Sequence, residues 1–358
     1  MLRLEPRSST PWWLAIVSPL MAVVATMVAG GVLFALMGFD PVAAIRTIFW
    51  DPLFGPASGY SRPQLLVKAG PLILIASGLA IGFRAGIWNI GAEGQYIIGG
   101  ICGAAVALAA HPTEGAWIFP AMVIAGAAGG WAWGMIPATL RNWAGASEIL
   151  VSLMLVYVAQ RVAAWMAFGP MRSPEGFGMP GSRNLQHYPS AANPELVAGT
   201  GAHWGVVAAG LAVLATWFLM SRHIRGFRIR VAGLAPRAAR FAGVRPETLV
   251  AFCLGLSGAL AGMAGLFEVS GPGGQITDSF GSGYGFTAII VAFLGRLHPL
   301  GILLAGLLLA LTYIGGELAQ LMLQLPAATV QVFQGMLLFF LLGFDTLTRY
   351  RLRWRAAK

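Results

Sequence analysis

Long uninterrupted apolar segments dominate this chain. A helix rises 1.5 Å per residue, so about 20 apolar residues cross a hydrocarbon core of about 30 Å. The pattern therefore predicts about ten transmembrane helices. Five predicted spans carry no formal charge, at 8–39, 115–140, 196–221, 248–267 and 318–344. Five shorter apolar runs lie at 69–83, 94–110, 149–160, 279–295 and 299–316.

The predicted fold class is all-α, a polytopic bundle of membrane helices. Lipid offers no hydrogen-bond partner to an open backbone, and the runs are too long and too continuously apolar for the alternating strands of a transmembrane barrel. Composition agrees, because 57% of the residues are hydrophobic and only 10% are charged, with a mean hydropathy of +0.74. One water-soluble core cannot hide that much apolar surface.

The net charge of +10 is interpreted as a topology signal and not as a nucleic-acid site. Lys and Arg accumulate in cytoplasmic loops, and here arginines crowd between Arg222 and Arg245 and in the C-terminal tail. Both termini are therefore predicted to be cytoplasmic. The first apolar run is too long for a secretory signal and is interpreted as the first membrane helix.

The predicted organisation is a single transmembrane permease domain over residues 1–358. Segments 38–63 and 170–200, both rich in turn-forming residues, are predicted external loops. The longest predicted cytoplasmic loop, 221–247, differs sharply from the spans around it.

A short two-faced helix is predicted inside the cytoplasmic loop. Pro236 suits its first position, Arg237 and Arg240 share one face, and Gly243 ends it. An ordinary solvated loop would need the arginines but not the small and aromatic residues at these offsets. We therefore predict a docking surface. Its residues are Gly233, Pro236, Arg237, Ala238, Ala239, Arg240, Phe241 and Gly243.

Two glycine-rich segments carry polar residues at membrane depth. They are GFRAGIWNIGAEGQ near residue 90 and EVSGPGGQITDSFGSGYGF from residue 268. Close helix packing explains glycines but not carboxyl and amide side chains, which are costly in lipid unless they line a wet path. The predicted translocation-path residues are Asn89, Glu93, Gln95, Gln275, Asp278 and Tyr284. Arg161, inside the fifth span, also needs a polar partner or water.

Sequence motifs for catalysis are missing. The chain has no GxxxxGK[ST] phosphate-binding loop, no HExxH and no GxSxG, so neither catalytic residues nor a cofactor is predicted. Cys102 and Cys253 lie in apolar runs without histidines at ligand spacing, and we interpret them as packing residues and not as metal ligands.

Four stretches resemble the permease subunits of bacterial ATP-binding cassette (ABC) importers of the branched-chain amino acid, ribose and nucleoside group, most of all the nucleoside type. They are FRAGIWNIGAEGQ, ASEILVSLMLVYVAQ, GLAPRAARFAG and GYGFTAIIVAFLGRLHPLG. In that family the third stretch is the coupling helix that enters a groove of the ATPase. Ala235 departs from the usual Asn, which removes a helix cap that contributes about 1 kcal/mol.

The resemblance implies alternating access in the bacterial cytoplasmic membrane. Its implied partners are a separate ATPase subunit, an extracytoplasmic solute-binding protein, the lipid bilayer and a second permease, identical or sister. Nucleosides or related small polar solutes are the implied cargo. An ion-coupled secondary transporter using Glu93 and Asp278 is the alternative, and a channel or scaffold is a third.

Overall fold

The computed structural model describes residues 2–6, 12–176, 178–281 and 283–354. The first few residues of the first predicted span and the tail cations beyond residue 354 lie outside the described residues.

The described chain contains fourteen α-helices, a 3-10 turn and two short strands. In chain order they are β1 (Leu2–Pro6), α1 (Trp12–Leu36), α2 (Pro41–Phe49), α3 (Asp51–Phe54), α4 (Ser58–Arg84), α5 (Ala92–Ala110), α6 (Ile118–Ala144), α7 (Glu148–Phe168), the 3-10 turn (Leu185–His187), α8 (Trp204–Arg222), α9 (Ile224–Leu234), α10 (Pro236–Phe241), α11 (Pro246–Ser270), α12 (Tyr284–Leu294), α13 (Pro299–Leu323), α14 (Ala327–Arg349) and β2 (Tyr350–Trp354).

Nine helices of the described part are long and apolar enough to cross a membrane, and α12 is a shorter apolar helix of 11 residues. Each of these ten helices overlaps one apolar run of the sequence, which confirms the all-α polytopic prediction. The predicted span 318–344 begins within the end of α13, and α14 starts only at Ala327. The spans are α1, α4, α5, α6, α7, α8, α11, α13 and α14.

The described residues form two compact units. One unit comprises residues up to Arg62 and from Leu311 onward. There α1 packs along α14, and the Phe34 and Phe333 rings stack at 6.4 Å. Phe49 of α2 lies 5.9 Å from the same Phe333 ring, so α2 belongs to this core.

The second unit, Pro63–Ala310, is built on glycine contacts among α5, α6 and α11. A Cβ on Gly99 would lie 2.1 Å from the Gly262 Cα, and one on Gly130 would lie 2.1 Å from the Gly258 carbonyl oxygen. Helix backbones approach this closely only where side chains are absent. The glycines of α5, α6 and α11 are therefore positions of close helix packing.

The two strands form an antiparallel ladder that the sequence analysis did not predict. Leu2 lies opposite Trp354, and Pro6 lies opposite Tyr350. Each strand has only five residues, and the pairing joins the two ends of the chain, so neither strand gives a local signal. This pairing places both ends of the described chain side by side.

The predicted loops contain more helix than expected. Segment 38–63 includes α2 and α3, and α4 already begins at Ser58. The predicted cytoplasmic loop 221–247 holds α9 in addition to the predicted short helix, and the His223 imidazole caps α9 by accepting the Arg225 N–H at 3.0 Å.

Candidate functional site

Two helices that each follow a non-helical segment, α5 and α12, meet at one carboxyl group. Segment 85–91 separates α4 from α5, and segment 271–281 follows α11. Glu93, in the first turn of α5, is buried and accepts the Gly283 N–H through Oε1 at 2.9 Å and the Gly285 N–H through Oε2 at 2.6 Å. We call these two segments, with the first turns of α5 and α12, the Glu93 junction.

Glycine and the carboxyl group together explain why α12 begins there. Gly283, its N-cap residue, has a φ of +79° and supplies no side-chain cap. The first N–H groups of a helix need acceptors, and a negative group is favourable at that end. Glu93 serves as this cap from another helix. A Cβ on Gly285 would lie 2.2 Å from the Glu93 nitrogen, so only glycine allows the two helix starts to approach.

A buried amide pair holds the other segment of the junction. Asn89 donates from Nδ2 to Gln95 Oε1 at 2.8 Å and to Ser257 Oγ at 3.0 Å. Gln95 donates in return to Asn89 Oδ1 at 3.2 Å, and the Gly91 N–H reaches the same oxygen at 3.1 Å. These polar groups satisfy one another without water. They fix segment 85–91 against α11.

Aromatic rings enclose the junction. Tyr284 is buried, and its ring lies 5.9 Å from Tyr96, whose other neighbour is Phe280 at 5.4 Å. The Lys68 ammonium lies 6.0 Å from the Tyr284 ring centroid, at a cation–π distance.

All six predicted path residues lie in the junction, and four of them are buried, namely Asn89, Glu93, Gln95 and Tyr284. Gln275 is half-buried and Asp278 is exposed. The structure brings the two glycine-rich segments of the sequence into direct contact at Glu93.

The predicted external loop 170–200 is ordered against segment 271–281. Ser182 and Ile276 exchange hydrogen bonds of 2.9 Å, and the Leu185 N–H donates to the Gly274 carbonyl at 2.7 Å. The Asn193 N–H donates to the Ser270 carbonyl at 2.8 Å. A movement of segment 271–281 must therefore move this loop.

His203 ends the same loop in a buried site. Its Nδ1 accepts the Gly205 N–H at 3.0 Å and lies 3.0 Å from the Asn193 amide nitrogen. Burial lowers the pKa of His203 to about 4, against a smaller opposing effect of Glu195. The neutral imidazole is the form that fits, because a proton on Nδ1 would face two donors.

The predicted docking helix is present as α10. Phe241 is 94% exposed and Leu234 is 87% exposed, whereas Ala239 is buried. Gly243, with a φ of +79°, ends the helix as expected. Ala235 leaves α10 without a side-chain cap. Arg237, Ala238 and Arg240 are exposed beside the two apolar side chains, as a contact surface for a partner requires.

The predicted docking surface lies against the end of α4 and beside segment 85–91 of the Glu93 junction. A Cβ on Gly233 would lie 2.0 Å from the Arg84 carbonyl oxygen, so α9 rests directly on the end of α4. Ala239 and Pro236 line a small cavity together with Ala85 and Ile87 of segment 85–91.

Helix α7 adds residues that the sequence analysis did not assign to a path. Its buried face packs on the end of segment 85–91, where a Cβ on Gly91 would lie 2.7 Å from the Ser152 carbonyl, and on α5, where one on Gly94 would lie 3.1 Å from the Val156 Cα. Its opposite face exposes Tyr157 and Arg161. Within the described chain, no carboxylate pairs with Arg161. The sequence did indicate this residue, as an arginine inside a predicted span. The direction in which its side chain points depends on how α7 packs.

The N-terminal end of α7 is tied to the same region. Glu148 forms a salt bridge of 2.5 Å with Arg141 and accepts the Trp88 N–H at 3.4 Å. The Trp88 ring lies 5.0 Å from Phe83, tilted, and stacks with Phe293 at 5.7 Å, so α4, segment 85–91 and α12 share one aromatic layer.

Comparison with known proteins agrees with this geometry. Residues 62–342 match the family described as "Branched-chain amino acid transport system / permease component". The chain is 35% identical to a glucose ABC transporter permease protein of Haloferax volcanii, over 98% of this chain and 93% of that protein. It is 28% identical to a guanosine ABC transporter permease protein of Bacillus subtilis, over 90% and 91%. A nucleoside ABC transporter permease protein of Lactococcus lactis is 27% identical, over 90% and 89%. The chain therefore belongs to the branched-chain amino acid type family of ABC transport permeases.

Proposed function

We propose that this permease converts the movement of a separate ATPase into opening and closing of a path for a small, neutral, hydroxyl-rich solute. As an ABC importer permease for small polar solutes it performs no covalent chemistry of its own. The observation that carries the proposal is a continuous series of contacts inside Pro63–Ala310. It runs from α10 through segment 85–91 and the Glu93 junction to the external loop 170–200.

The coupling surface comprises α10 and the end of α9. The exposed Phe241 and Leu234 side chains offer apolar anchors among arginines, a pattern suited to a groove with an acidic rim. The proposed coupling residues are Gly233, Pro236, Arg237, Ala238, Ala239, Arg240, Phe241 and Gly243. A displacement of α10 would move α9 and, with it, the Arg84 carbonyl at the end of α4, because no free space separates α9 from that carbonyl.

The path is proposed to run beside the junction, with two classes of residue. Asn89, Glu93 and Gln95 support the ends of the broken helices, because their polar atoms already have partners within the chain. Gln275 and Asp278 are accessible enough to meet the solute. Tyr284, at the start of α12, links the two classes.

The face of α7 with Tyr157 and Arg161 is proposed as a second wall of the path. An arginine facing lipid at membrane depth costs about 2.5–3.5 kcal/mol on insertion scales, so this face needs water or protein against it. A second permease, identical or sister, supplies that cover. An aqueous path between the two copies would solvate Arg161.

Both termini are proposed to be cytoplasmic, in the bacterial inner membrane. The pairing of β1 with β2 supports an even number of crossings, and the arginines of loop 221–247 support its cytoplasmic side. Helix α12 is only about 16 Å long at 1.5 Å per residue, so segment 271–281 completes the tenth crossing. External loop 170–200 then faces the solute-binding protein.

The proposed cargo is a nucleoside or a simple sugar. Relatives that cover most of the chain carry the names of a glucose, a guanosine and a nucleoside permease. These solutes share a neutral ring with several hydroxyl groups. Family membership favours ATP-driven transport over the ion-coupled alternative.

The deciding experiment is uptake of labelled nucleosides and glucose into proteoliposomes that contain this chain, its ATPase and its binding protein. The double variant Phe241→Asp with Arg240→Glu should insert normally but lose ATP-dependent uptake. Arg222→Glu, a charge reversal in the same loop outside α10, is the matched control. Uptake that follows an ion gradient and ignores the double variant would refute the proposal.

A further inference from the structure

A cavity of about 440 Å³ opens where α9 faces the start of α11. Arg225 and Arg228 of α9 line one side, and Arg245 lines the other. Leu249 and Phe252, from the first two turns of α11, form an apolar floor. The volume lies in the range of about 300–1,000 Å³ that is usual for small-ligand sites.

The charge in this cavity has no counterpart in the described chain. None of the three arginines forms an ion pair with a described carboxylate, and no acidic residue is among the lining residues. Glu247 is the nearest acidic residue in sequence, but its side chain is exposed outside the lining. The three arginines are exposed and line one space, so their like charges repel one another through water, and an anion there would relieve that repulsion.

Two further features of the cavity favour a ligand that carries both a negative charge and an apolar part. Helix α11 begins at the cavity without a side-chain cap, so the free N–H groups of its first turn favour a negative group. The Arg225 guanidinium lies 5.3 Å from the Phe252 ring centroid, which holds it over the apolar floor. Charge and apolar surface are therefore side by side.

We propose that this cavity binds the phosphate headgroup of an anionic phospholipid from the leaflet where α8 ends and α11 begins. The arginines hold the phosphate, because guanidinium groups match its geometry with paired hydrogen bonds. Leu249 and Phe252 contact the glycerol and the start of the acyl chains. A lipid fits better than free phosphate, since α11 is a membrane span and enters the bilayer from this cavity.

The test uses the whole chain purified in mild detergent and measures phosphatidylglycerol retention by native mass spectrometry. The wild type should retain one lipid. Arg225→Gln with Arg228→Gln should weaken binding about 25-fold, at roughly fivefold per basic residue near an anionic lipid. Arg222→Gln with Arg230→Gln removes the same charge from two residues that do not line the cavity and should change binding by no more than about twofold, because neither side chain is positioned to pair with a phosphate held there.

A second double variant, Arg225→Lys with Arg228→Lys, keeps the positive charge. It tests the proposal even if the glutamine pair misfolds. It should bind more tightly than the glutamine pair and less tightly than the wild type. Equal lipid retention in the wild type and the glutamine pair would overturn the proposal. Inorganic phosphate that binds the wild type while no lipid is retained would assign the cavity to a free anion instead.

A third result would also refute the lipid site. If the glutamine pair loses the ATPase on co-purification but keeps its lipid, the cavity is a protein contact. The lipid measurement does not use transport, so its failure leaves the proposed uptake function untouched, and failure of uptake leaves the lipid site untouched.

Discussion

Removal of the Glu93 side chain tests whether one carboxyl group joins the two broken membrane segments. In the wild type it accepts a part-buried N–H group from Gly283 at 2.9 Å and a buried one from Gly285 at 2.6 Å. A buried donor left without an acceptor costs about 1–3 kcal/mol and a part-buried one costs less, so Glu93→Ala should destabilise the chain by about 1–5 kcal/mol. Glu93→Gln keeps one oxygen acceptor and should lose about half as much.

The assay is thermal unfolding of the purified chain in detergent, followed by tryptophan fluorescence. The midpoints should fall in the order wild type, Glu93→Gln, Glu93→Ala. Asp278→Asn, which changes an exposed carboxyl group of the same segment, is the matched control and should stay within about 0.5 kcal/mol of the wild type. Equal midpoints for Glu93→Ala and the wild type would show that the carboxyl group does not hold α12.

Three further changes test other parts of the same series of contacts. Gly233→Ala places a Cβ 2.0 Å from the Arg84 carbonyl and should reduce ATP-dependent uptake severalfold, whereas Gly210→Ala, with open space around it, should leave uptake unchanged. Folding favours neutral His203, whose pKa of about 4 lies below its ordinary 6.5. The contribution of His203 to the free energy of unfolding is therefore fully present above pH 6.5. It should fall by about 3 kcal/mol as the pH falls towards 4. A pH series of unfolding midpoints should be flatter in His203→Gln, and an unchanged slope would contradict the assignment. Arg161→Leu should abolish uptake without reducing insertion, measured by membrane yield beside labelled uptake, and full activity would exclude this face from the path.

Much of the architecture was predictable because it follows from local pattern. The apolar runs located every span that the structure describes, since a helix in lipid needs only enough consecutive apolar residues. The short helix from Pro236 to Gly243 was also predictable, because proline and a positive-φ glycine act on their own neighbours. Helix α9 was missed, since its arginines hide the small buried face around Gly226 and Ile229.

The sequence by itself determined that this protein is a membrane bundle, where its membrane spans lie and which loop is basic, because hydropathy and charge act residue by residue. Only the tertiary structure decided what the polar residues do. Glu93 meets backbone groups 190 and 192 positions away, and the strands at the two ends meet across the whole chain. Such partners depend on how helices pack, and the glycine contacts that set the packing carry no directional signal in the sequence. The exposure of Arg161 was decided in the same way, by which face of α7 the small residues of α5 could accept.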